Sequence, residues 1–281
     1  MATNQNKLHE EAEFKRLKRV IQEELGISNE VKFLANSLVN KIIKDYRPGY
    51  TIRVTPFSED CGEYEISVNL KDYPKKSMAI SDGNDYRGVT YHSYRLIQIV
   101  GYSVNGKIPA DSLAGTLQHE LKHVFDLYKS KREGFFKTQG DINIYHKAAL
   151  QAMDKTLPIE YRNIGYAVYL SHDFESQAFE SGTYAFLMRQ NLSFIGDEVE
   201  AVKESPYYKR LLFARDAYDF INENEERAKE IAESVYGKSL KWLKRTVSAA
   251  LKTTRRQIGR AVAKVRKDYD WTHGGDNSVW V

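Results

Sequence analysis

Residues 116–126 read TLQHELKHVFD, and within them His119, Glu120 and His123 form an HExxH pattern. Two histidines four apart on a helix share one face, one turn apart. Their imidazoles can converge on a single zinc ion, Zn2+. Glu120 lies about 100° round the helix from His119 and about 60° from His123. It projects beside the metal, the place for a general base acting on metal-activated water. With seven histidines in 281 residues, the pattern arises by chance roughly 0.01 times per chain. The plainer alternative is two surface histidines on an amphipathic helix.

A catalytic zinc needs a third protein ligand and keeps its fourth position for water. The chain has one cysteine, Cys61, so that ligand must be a histidine or a carboxylate. The segment 171–191 (SHDFESQAFESGTYAFLMRQN) offers Glu175 and Glu180. They lie about 140° apart on a helix and cannot both point at one ion. Glu175 is favoured. It falls near the start of a helix that Ser171 can cap, and it shares a face with His172, Phe179 and Gly182. Gly182 would let that helix pack closely against the motif helix.

These residues need elements to hold them. Leu8, Phe14, Leu17, Ile21 and Leu25 give residues 7–26 a helical period. A second helix runs from a cap at Ser28 or Asn29 to about Tyr46 and ends before Pro48-Gly49. The period then drops to two, at Tyr50, Ile52, Val54 and again at Tyr64, Ile66, Val68, Leu70, which reads as two strands around an acidic turn. Residues 71–88 read as a loop. Val89–Val104 holds one or two more strands, closed by an Asn105-Gly106 turn. From Pro109 onward the pattern is helical, with Asp111 as an N-cap for 112–130 and helices at 141–155, 159–170, 172–191, 197–204, 206–222 and 224–236. Leu113, Leu117, Val124 and Leu127 set the motif on an amphipathic helix.

The pattern resembles the zincin metallopeptidases, and among them the gluzincins, which join HExxH to a downstream glutamate. Glu175-Ser176-Gln177-Ala178 is similar to the E-x-x-A stretch of several minimal members. The likeness covers about residues 89–191. It implies His119, His123 and Glu175 as zinc ligands and Glu120 as base and proton shuttle. It also implies an active helix under a small sheet and a peptide substrate along an edge strand. Two places depart from the pattern. Lys122 is charged where these peptidases carry a neutral residue, so it must reach solvent or pair with a carboxylate. Phe179 stands where a supporting aspartate would be, and Asp126 is the alternative support for a ligating imidazole. The strand Arg95–Val100 would correspond to the region that pairs with substrate; a plain core strand is the other reading. His172, one turn before Glu175, is the first candidate for stabilising an oxyanion. Tyr161, Tyr166, Tyr169 and Tyr184 are further options among 19 tyrosines.

Composition bounds the rest. A chain with 42% hydrophobic and 28% charged residues is globular rather than disordered. A single cysteine excludes an internal disulfide and fits a reducing compartment. No apolar run approaches a bilayer's thickness, and the polar N-terminus carries no secretory signal, so the expected location is cytoplasmic or within a particle. The net charge of +4 hides an asymmetry: Lys238–Lys267 holds eleven Lys/Arg and no acid, leaving −7 on the remainder. That basic segment has an apolar stripe of Leu240, Leu243, Val247, Leu251, Ile258, Val262 and Val265. It can bind nucleic acid, lie on an anionic membrane with Trp242 at the interface, or dock its stripe on the acidic body. Trp271 and Trp280 can anchor the last residues, which read as an extended tail.

The expected fold is α+β and mostly helical: a helical pair (1–47), a zincin-like core with a small sheet on the HExxH helix (48–195), a helical extension (196–237) and a basic amphipathic tail (238–281). The expected activity is zinc-dependent hydrolysis of peptide bonds, either general proteolysis or a single cleavage that regulates a partner. The alternative is a structural or cargo protein, for instance of a phage particle or a nucleoprotein assembly, with an inactive core and a nucleic-acid-binding tail.

Overall fold

The computed structural model describes residues 29–57, 61–81, 86–130 and 139–269. The expected helix at 7–26, the cap at Ser28, most of the acidic turn, and the tail with Trp271 and Trp280 lie outside the described residues.

The fold is α+β, with one four-stranded mixed sheet and ten helices among the described residues. Helix α1 (29–45) leads into strands β1 (Tyr50–Val54) and β2 (Tyr64–Tyr73). These pair antiparallel, with Ile52 opposite Ile66. Alternation in β2 sends Tyr64, Ile66 and Val68 inward. The expected loop at 71–88 is shorter than its composition suggested: β2 runs on to Tyr73, and a short helix α2 (Lys76–Ser81) follows. Strand β3 (Arg87–Tyr91) turns through a 3-10 segment (His92–Tyr94) into β4 (Leu96–Val104). Asn105 and Gly106 both take positive φ, 50° and 74°, the backbone of a tight turn out of a strand.

The sheet order is β1-β2-β4-β3. Strand β4 runs parallel to β2 and antiparallel to β3, so both its edges are occupied. Of the two readings of Arg95–Val100, pairing with substrate is corrected and the core strand stands. Among the described strands, the outer one beside the motif helix is β3.

Helix α3 (Ala110–Ser130) carries HExxH. It begins at Ala110, so Asp111 lies in the first turn rather than at the cap. Leu113, Leu117 and Leu121 are fully buried at helical spacing and join Ile66, Val68, Ile97, Ile99 and the α1 residues Leu38 and Ile42 in one core. Burying each such side chain stabilises by about 1.5–3 kcal/mol.

The second half is helical: α4 (Gln139–Met153), α5 (Ile159–Leu170), α6 (Asp173–Leu187), α7 (Asp197–Glu204), α8 (Pro206–Glu223), α9 (Glu225–Tyr236) and α10 (Leu240–Asp268). Ser171 does not cap α6. It closes α5, with its hydroxyl donating to Val168 O, and His172 takes the N-cap position. Gly115 of α3 and Gly182 of α6 face each other; a β-carbon on Gly182 would fall 2.8 Å from Gly115 O. Absence of side chains there lets the two helices cross closely. The basic segment forms one 29-residue helix, α10, whose stripe is docked. Leu243, Val247 and Leu251 enter a core with α5, α8 and α9, and Ala261 and Val265 enter another with α6 and α7. No described helix is long and apolar enough to cross a membrane.

Candidate metal centre

One turn of α3 brings His119 and His123 together with their Nε2 atoms 3.2 Å apart. Both side chains are buried. Glu175, on the first turns of α6, reaches between them: one carboxylate oxygen lies 3.5 Å from His119 Nε2 and the other 3.7 Å from His123 Nε2. The glycine contact between α3 and α6 is what allows this approach. Glu180 points elsewhere and pairs with Lys264 and Arg260 of α10. The two glutamates thus diverge as their spacing requires.

Bonds of about 2.0–2.1 Å to a tetrahedral ion put ligand atoms about 3.3 Å apart. The three observed separations are close to that. Among the described residues, the buried Glu175 Oε2 beside His119 Nε2 makes no hydrogen bond, although such groups are normally satisfied. Burial, and then the neighbouring His119 charge, hold His123 far below its ordinary pKa, at about 3, against the pull of Glu175. Burial raises Glu175, but His123 and His119 outweigh it and keep the carboxyl at about 2. Neutral imidazoles and an ionised carboxylate are the forms a cation binds. The buried group His119, Glu120 and His123 could hold a metal ion.

Glu120 stands beside this cluster, with a carboxylate oxygen within 4.8 Å of both imidazole ligand atoms. Thr90 on β3 donates to Glu120 Oε2 at 2.7 Å. Burial raises the Glu120 carboxyl, and His119 and the Thr90 bond work against that. Gly88, two residues earlier on the same strand, leaves room for the side chain.

Among the other neighbours, Tyr145 and Arg210 were not singled out by the sequence, whereas Tyr169, His172, Lys122 and Asp126 were. Tyr145 of α4 donates to Glu175 Oε1 at 3.0 Å. Tyr169 stacks on Tyr145 at 5.0 Å and faces the same carboxylate. Burial raises both hydroxyls far above the ordinary tyrosine range, so they remain donors. Arg210 of α8 lies over the Tyr207 ring, and its charge acts on Glu120 and Glu175. His92 meets Tyr64 OH at 3.4 Å. His172 packs edge-on against Tyr145, 5.3 Å between ring centres. Lys122 pairs with Asp126 on its own helix. Asp126 therefore does not support a ligating imidazole, as expected of it, because the lysine one turn earlier takes it.

No protein-family model matches this chain, and neither curated proteins nor solved structures show a match. The site's meaning rests on its own chemistry.

Proposed function

We propose that the protein is a zinc-dependent peptidase, with His119, His123 and Glu175 as the metal ligands. The observation that carries the reading is the convergence of three buried donor atoms at 3.2–3.7 Å, with a fourth acidic group, Glu120, alongside. Two nitrogens and one carboxylate are a donor set zinc favours. When bound, zinc would polarise the scissile carbonyl and acidify a water. Glu120 takes the proton from the attacking water and returns it to the leaving amine. Thr90 fixes the carboxylate for both transfers. Tyr145 and Tyr169 orient Glu175. His172, against Tyr145, is the proposed oxyanion-stabilising group.

An extended peptide fits this reading because β3, an outer strand of the sheet among the described residues, lies next to the helix that carries Glu120. Such an edge adds a strand through main-chain hydrogen bonds. The test is metal content and peptide cleavage of the purified chain beside Glu120→Gln. The expected result is about one zinc per chain in both proteins and hydrolysis in the parent alone. A folded, metal-free parent, or a fully active Glu120→Gln, would overturn the proposal.

A further inference from the structure

The exposed face of α10 is a second feature, independent of the metal centre. The helix holds no acid before Asp268. Four of its basic residues pair with three carboxylates of the body: Lys244 with Glu225, Arg260 and Lys264 with Glu180, and Arg266 with Glu198. Six others, Lys241, Arg245, Lys252, Arg255, Arg256 and Lys267, are exposed and have no carboxylate partner among the described residues. At 100° per residue these six fall within about 120° of arc, along about 39 Å of axis.

Gly259 lies in the middle of that line. A β-carbon there would meet nothing within 4 Å, and glycine is the poorest helix former after proline. No packing among the described residues requires it. An exposed glycine among cations suits a backbone that a ligand approaches closely. Ala249 and Ala263, also exposed, extend the same low surface.

We propose that this face of α10 binds the phosphate backbone of duplex nucleic acid. A straight cationic line of about 39 Å matches roughly one turn of duplex, about 34–36 Å. The fit is by charge complementarity, and sequence plays no part in it. A membrane fits less well, because the apolar stripe of α10 is buried in the body and unavailable for insertion.

The test is binding of the full chain to a mixed-sequence DNA duplex of about 30 base pairs, between about 50 and 200 mM salt. Six phosphate contacts predict a log–log salt slope near −5, a loss of about a thousandfold over that range. Neutralising five of the six (Lys241→Gln, Arg245→Gln, Lys252→Gln, Arg255→Gln, Arg256→Gln) brings the slope to about −1. The paired control, Arg260→Gln with Lys264→Gln, leaves it unchanged. Gly259→Gln keeps every charge and the fold, and weakens binding by about tenfold through bulk alone. A thermal melt of each variant within a few degrees of the parent shows that folding is intact. No binding at about 50 mM salt, or a slope indifferent to the five substitutions, overturns the proposal. Tighter binding to single strands overturns the duplex assignment. Capture by phosphatidylserine vesicles without duplex binding overturns it in favour of a membrane.

Discussion

Gly88 lies directly against Glu120: a β-carbon at position 88 would fall 2.6 Å from Glu120 Cδ. No real side chain tolerates that separation, so the carboxylate holds its place because β3 is bare at this point. Gly88→Ala should displace Glu120 and lower peptide hydrolysis by about a hundredfold, since small misplacements of a reacting group cost that much. Zinc content should stay at the parental level. Thr90→Val, which removes the 2.7 Å bond, should cost about tenfold in kcat. Unchanged rates in both variants would disconnect Glu120 from the chemistry.

The ligand assignment predicts a contrast within α6. Glu175→Gln should abolish stoichiometric zinc, whereas Glu180→Gln should retain it, because Glu180 turns to ion pairs with α10. Tyr145→Phe removes one hydrogen bond to Glu175 and should weaken zinc by about 10–100-fold. Competition with a zinc-sensitive dye reads all three. Equal zinc affinity in Glu175→Gln and the parent would disprove the ligand set.

Metal removal should cost stability as well as activity. Zinc at about a thousand times its Kd stabilises the folded chain by about 4 kcal/mol. For a chain of this size, stripping it with a chelator should lower Tm by about 8–16 °C. Added zinc should restore the melt. A Tm indifferent to both treatments would mean that the folded protein binds no zinc.

The buried Glu198 of α7, which is not part of the candidate metal centre, gives a pH-dependent test of stability. Burial raises its carboxyl, but Arg266 at 2.6 Å and the Gly196 N–H outweigh this and hold it below the usual range. A depressed folded-state value stabilises the fold above the unfolded carboxylate pKa, about 4.3. That stability disappears as pH falls through the lower folded value. Glu198→Gln should cost about 1–3 kcal/mol at pH 7, and the gap should narrow below about pH 4. Urea unfolding at the two pH values measures it. A gap that stays constant on acidification would remove the ion pair as its cause.

Much of the candidate site was legible because its parts obey one helical period. The four-residue spacing puts His119 and His123 on one face, and the five-residue spacing forces Glu175 and Glu180 apart. The order of strands and longer helices was legible from period too, about two for the strands and about 3.6 for the helices, whereas α2 was hidden in an expected loop. What was hidden is contact across long sequence separations. Thr90 stands 30 residues from Glu120, and Tyr145 30 residues from Glu175. Nothing local marks that tyrosine among 19. Strand edges were equally hidden, because β4 becomes internal only once β2 pairs parallel with it. Ser171 misled because a serine before a helix can equally end the previous one. Asp126 misled because Lys122 shares its face.

Gln257 of α10 donates to Ser176 Oγ across 81 residues of sequence, and both side chains are buried. Ser176 is the neighbour of Glu175. The glutamate's helix is therefore backed by a segment that leaves the ribosome long after it. At about 5–20 residues per second, 81 residues take about 4–16 s. For that interval a growing chain already carries all three donor side chains but lacks the helix that backs one of them. Order of synthesis thus leaves the candidate metal centre without its α10 backing until the chain is nearly complete.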